Sequence, residues 1–159
     1  MRANVSISLM HIQQRERRSS GVLEYWARSW KLKSRTIDMT DSFTEIFSRL
    51  RAILERHVGK LVVSQNSPTR YCLEGGVHPK HKKPMPIAWV EIGKNYVGFH
   101  HMGVYAWPDL LKEVSPKLRA RMQGKSCFNF TSVDEALFVE LETLTVRAFA
   151  AFQQLPYMK

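Results

Sequence analysis

The chain has 159 residues, 44% of them hydrophobic and 24% charged, which is enough apolar content for one packed domain and too much for global disorder. Twenty-four Lys and Arg against fourteen Asp and Glu give a net charge of +10, a balance that bears on solubility and on affinity for polyanions but not on fold. Two cysteines exclude a disulfide framework and a four-cysteine zinc site, and no apolar run reaches the roughly 20 residues of a membrane-spanning helix.

Residues 1–38 hold eight basic residues against three acidic ones, half of the chain's net charge on a short segment. Their apolar residues keep no helical or alternating period for long, and no secretory signal pattern is present. The segment is rich in Arg and Ser and poor in acids, as transit peptides are, but it lacks their amphipathic face. It is read as a disordered basic extension, dispensable for folding. Met39-Thr40-Asp41 is the natural beginning of a single domain over 39–159.

Ser42-Phe43-Thr44-Glu45 has the form of a capping box. The stripe Phe43, Ile46, Phe47, Leu50, Ile53 and Leu54 predicts the helix that follows, with Gly59 as its left-handed stop. Residues 61–65 and 69–74 predict a hairpin around Asn66-Ser67-Pro68. Gly75-Gly76 opens a loop to Pro86, where prolines 79, 84 and 86 exclude a regular ladder. Residues 87–92 and 95–102 predict a second hairpin, with Gly93-Lys94 as a two-residue turn. That register puts Ala88, Val90 and Ile92 on one face with Val97 and Phe99, and sets Trp89 across from Gly98 and Glu91 across from Tyr96. Pro108 starts a helix that Ser115-Pro116 restarts and Gly124 ends. Residues 125–130 form a strand. Ser132-Val133-Asp134-Glu135 caps a long helix buried through Leu137, Leu141, Leu144, Ala148 and Phe152. The whole predicts an α+β domain: an antiparallel sheet of about five strands with helices packed mainly on one side.

Gly124-Lys125-Ser126 resembles the end of a phosphate-binding loop, but position 119 is Arg119 where the motif needs glycine, and a helix rather than a strand leads into it. His78 and His81 have ligand-like spacing, whereas His100 and His101 are neighbours that a strand sends to opposite faces. Lys80, Lys82 and Lys83 raise the cost of a cation beside the first pair, so neither a metal site nor a resident cofactor is expected. His57 is placed at a helix end, near its carbonyls. Cys72 and Cys127 read as inert packing thiols, and pairing either with His100 as a nucleophile lacks a sequence signal. Lys117 and Arg121, four apart, share a helix side, with Lys125 nearby and Tyr96, Tyr105 and Trp107 as stacking candidates.

The runs Ile92-Gly93-Lys94-Asn95-Tyr96-Val97-Gly98-Phe99-His100 and Leu118-Arg119-Ala120-Arg121-Met122-Gln123-Gly124-Lys125-Ser126-Cys127-Phe128-Asn129-Phe130 resemble the YdhG-like family, a bacterial domain family of unknown function, over about 39–152. The resemblance implies a compact α+β domain and carries over no catalytic residue; a frataxin-like iron-handling role is the alternative associated with it. The expectation is a cytoplasmic, non-catalytic domain that binds a small anionic ligand or a protein partner through Lys125, Ser126, Lys117, Arg121 and His100. Nucleic-acid binding is expected to be weak and non-specific at most, because only +5 remains on 39–159 and it is divided between two groups. No membrane association is expected.

Overall fold

A computed structural model describes residues 39–59 and 61–158. The expectation for residues 1–38 lies outside the described residues. Helix α1 (Met39–Glu55) leads into a six-stranded antiparallel sheet built from β1 (Val62–Asn66), β2 (Arg70–Val77), β3 (Pro84–Ile92), β4 (Val97–His101), β5 (Met122–Gln123) and β6 (Cys127–Phe130). The strand order is β1-β2-β3-β4-β6-β5. Between β4 and β5 come α2 (Met102–Ala106), a 3-10 turn at Pro108–Glu113 and α3 (Pro116–Arg119); α4 (Glu135–Gln153) follows β6. The fold is α+β. No described helix is long and apolar enough to cross a membrane.

The predicted helical stripes are the core. Phe43, Ile46, Phe47, Leu50, Ile53 and Leu54 of α1 and Leu137, Leu141, Leu144 and Phe152 of α4 form one buried cluster with Val90, Val97, Phe99, Phe128 and Phe130 of the sheet. Burying a side chain of this size stabilises by about 2 kcal/mol.

Several local expectations are corrected. Ser42 lies inside α1, which starts at Met39, so its capping box does not open the helix. The long helix is capped two residues later than expected: Asp134 accepts a hydrogen bond from Leu137 N, and Ser132 stands outside. Gly59 has the anticipated left-handed backbone (φ +46°) but lies beyond the helix end. Strand β2 runs on through Gly75-Gly76, and β3 begins at Pro84. The prolines are tolerated because their stretch of β3 pairs with β2 alone, through register irregularities at 73–74 and 75–77. Pairing with β4 begins only at Ala88.

The Gly93 turn holds four residues rather than two, since Ile92 pairs with Val97 and Gly93 N donates to Tyr96 O (2.8 Å). An even shift of two preserves the faces, so Val90 and Phe99 still meet in the core. It changes every partner on the other face: Trp89 opposes His100, and Glu91 opposes Gly98. Helix α3 ends at Arg119, and the chain then forms the β5–β6 hairpin. Gly124 (φ +72°) is therefore the left-handed residue of a strand–strand turn, not a helix end. The sixth strand, Met122–Gln123, arises from the same change.

Candidate functional site

The five expected binding residues do not converge. Lys117 is exposed on α3, while Arg121 lies past that helix in the turn to β5, so the two do not share a helix face. The Ser126 carbonyl accepts from His101 N (2.9 Å), tying the turn to the end of β4. Lys125 is exposed on the β5–β6 turn, with its ammonium 5.8 Å from the Tyr105 ring. It lines a cleft of about 680 Å³ with Arg119, Val104, Tyr105, Pro108, Leu111, Met122 and Gly124. Arg119 donates across it to the Leu111 carbonyl. Among the described residues neither Lys125 nor Arg119 has a carboxylate at ion-pair distance. A cation left unpaired beside apolar walls is a place for an anion.

Tyr105 also lines a second cleft, about 550 Å³, whose wall includes His78, His81, Lys83, Met102, Trp107 and Phe152. The two histidine rings sit 4.6 Å apart. Yet His78 Nδ1 accepts from Lys80 N and His81 N, so that nitrogen organises the turn. Among the described residues no three His, Cys, Asp or Glu side chains converge as a metal site requires. Instead of serving a helix end, the His57 ring packs edge-on against Phe149 at 5.8 Å.

His100 belongs to a different constellation, on the sheet face opposite the core. Its Nδ1 lies 2.7 Å from Cys127 Sγ on β6, and its Nε2 lies 3.2 Å from Glu91 Oε1 on β3. Trp89 stacks on the imidazole with centroids 4.5 Å apart and planes 5° from parallel. Glu91 is in turn paired with Arg70 of β2, whose guanidinium carbon lies 5.8 Å from the Trp89 ring. Gly98 makes the room: a Cβ there would stand 2.9 Å from His100 Nε2. Burial lowers the His100 pKa below the usual 6.5, against the pull of Glu91 and with the push of Arg70. Burial raises the Cys127 thiol, partly offset by a hydrogen bond from Ser126. The resting pair is therefore a thiol and a neutral imidazole.

Sequence reasoning missed this array because a two-residue turn at Gly93 sets His100 across from 87 rather than from Trp89. Even so, Trp89, Glu91, His100 and Cys127 all fall on strands at alternate positions, and period 2 alone assigns Trp89 and Glu91 to one face. Lys125 stays with Tyr105 and does not join Cys127 and His100. Cys72 is buried. Comparison of the chain with protein-family models, curated proteins and solved structures finds no match in any of the three.

Proposed function

We propose that this domain binds a small amphipathic acid in the cleft at Lys125, with the acid head on Lys125 and Arg119 and the apolar body against Val104, Tyr105, Leu111 and Met122. The observation that carries the reading is that, among the described residues, neither cation has a carboxylate partner on an otherwise apolar wall: Arg119 is held only by the Leu111 carbonyl and Lys125 only by the Tyr105 ring. The nearby acids are spoken for: Asp109 pairs with Lys112, and Glu113 with Arg147. A cleft of about 680 Å³ matches the 300–1,000 Å³ of ordinary small-ligand sites. Its described lining holds no Cys, His, Ser, Asp or Glu, which supports binding over conversion. In this reading the domain is cytoplasmic and works without a resident cofactor. The YdhG-like resemblance of 92–100 and 118–130 is part of the same proposal, since the second run supplies Arg119, Met122, Gly124 and Lys125.

Thermal denaturation with octanoate, octanol and inorganic phosphate tests it. Octanoate should raise the melting temperature while the alcohol and the bare anion do not, and Lys125→Glu should remove the shift. A flat response to octanoate, or an unchanged shift in the variant, refutes the assignment.

A further inference from the structure

The array on the sheet face opposite the core is independent of that cleft. Three neighbouring strands contribute one member each, so that Cys127, His100 and Glu91 stand in the order nucleophile, base, carboxylate. The Glu91 carboxylate lies 3.2 Å from Nε2, within ion-pair distance though without hydrogen-bond alignment, and its charge favours the proton on that nitrogen, leaving the Nδ1 lone pair facing Cys127 Sγ. This is the relation by which a base with an orienting partner activates a thiol. Cys127 is half-buried, and among the described residues its outer neighbour β5 is a two-residue edge strand, the side from which a small molecule would reach the sulfur.

The surroundings decide which electrophile fits. Acyl transfer needs spare hydrogen-bond donors where an oxyanion forms. Here His101 N is bound to Ser126 O and Asn129 N to Arg121 O, while the Asn129 amide donates to Gln123 Oε1 (2.6 Å). Thiol–disulfide exchange develops its charge on sulfur alone and needs no such donors. Cys72 shares the cross-strand row with Trp89, His100 and Cys127 but stands three strands from Cys127. At about 4.8 Å per strand that separation is about 14 Å, too far for an internal disulfide.

We propose that Cys127 is a reactive thiol with His100 as its general base and Glu91 as the positioning carboxylate, and that its substrate is a low-molecular-weight disulfide. The Cys127 S–H proton passes to His100 Nδ1 as Sγ attacks one sulfur of the disulfide. The new Sγ–S bond forms while the substrate S–S bond breaks, and the departing thiolate takes the proton from the imidazolium to leave as a free thiol. The Cys127 sulfur is oxidised to a mixed disulfide, and the released sulfur is reduced. With no resolving cysteine in reach, a second small thiol reverses the step.

The test uses the full chain and 2,2′-dipyridyl disulfide, following thiopyridone release and locating the adduct by peptide mass mapping. One adduct at Cys127 is expected in the native protein. Its rate should rise with pH through a midpoint below the ordinary histidine 6.5 and then level off. Arg70, Glu91 and Cys127 are the ionisable groups facing that imidazole, and Glu91→Gln should move the midpoint to lower pH by removing the carboxylate that favours the imidazolium. His100→Asn, which keeps an acceptor near Sγ but cannot take the proton, should slow the reaction about tenfold or more at pH 7. A rate that climbs without levelling to pH 9 in the unsubstituted chain shows an unassisted thiol and overturns the proposal, whether or not the variant folds. An unchanged rate in a folded His100→Asn protein overturns it equally.

Discussion

Acid should unfold this domain through His101, and the size of the effect follows from how that residue is held. His101 is fully buried, and its Nδ1 accepts from Gly103 N (3.1 Å) as the cap of α2. Among the described residues its other nitrogen has no hydrogen-bond partner, and its ring lies 5.4 Å from that of Phe149 and 6.2 Å from that of Phe99. Burial, and to a lesser degree the charge of His57, push its pKa down to about 3 from the ordinary 6.5. Between those values the unfolded chain takes up a proton that the folded one refuses. Stability is therefore full above pH 6.5 and falls as the pH drops toward 3. Lowering the pH from 7 to 5 costs about 2 kcal/mol from this group alone, at 1.36 kcal/mol for each unit below the unfolded pKa. Asn at position 101 keeps a cap-forming side chain but cannot titrate. Urea unfolding of the wild type and of His101→Asn at pH 7 and 5 isolates the term, because His100 and the other titrating groups are common to both chains. The wild type should lose about 2 kcal/mol more than the variant over that interval. Equal losses would show that His101 is not buried as a neutral base and would refute the reasoning.

Two further substitutions test local geometry. Asp134→Ala should destabilise by about 1 kcal/mol through loss of the α4 cap, while Ser132→Ala should change urea stability by a few tenths at most, since Ser132 is exposed and outside the helix. The reverse ranking would move the helix start back to Ser132. Gly103→Ala should cost about 1–3 kcal/mol in the same assay, because the added Cβ would meet Ala148 Cβ at 2.6 Å where α2 crosses α4; a neutral result would show that the two helices are free to separate.

The helices were legible because their signal is redundant. Six apolar positions in α1 and five in α4 repeat the same period, so no single residue decides the outcome, and all of them are buried. Boundaries rest on single groups and were less legible. A serine three residues before a glutamate is the same pattern at 42–45 and 132–135, yet α1 begins before the first and Asp134 caps in place of the second. The stretch around Gly124 failed for a related reason. A glycine with positive φ ends helices and turns hairpins alike, and only the pairing of Met122 with Phe128 distinguishes the two.

The candidate sites depend on a finer quantity, the strand register, and its visibility differs between the two faces of the sheet. On the core face a two-residue slip exchanges one apolar partner for another, so Val90 and Phe99 belong to the core under either turn. On the opposite face the same slip decides whether Trp89 meets glycine or imidazole, and whether Glu91 lies beside Tyr96 or beside His100. Periodicity specifies which residues share a face but not which of them touch. Hydrophobic burial selects the face and is indifferent to an even shift. The selecting interactions are then specific ones: the Trp89–His100 stack, the approach of Glu91 to His100 Nε2 and the fit of that ring over Gly98, each of which belongs to the observed β3–β4 register. The residues that set the register on this face are thus largely those proposed to serve Cys127, so a substitution among them alters the chemistry and the strand pairing together. Rates and stability must be measured on the same variants for that reason, and a chemical role is shown only where the rate falls while the melting temperature holds.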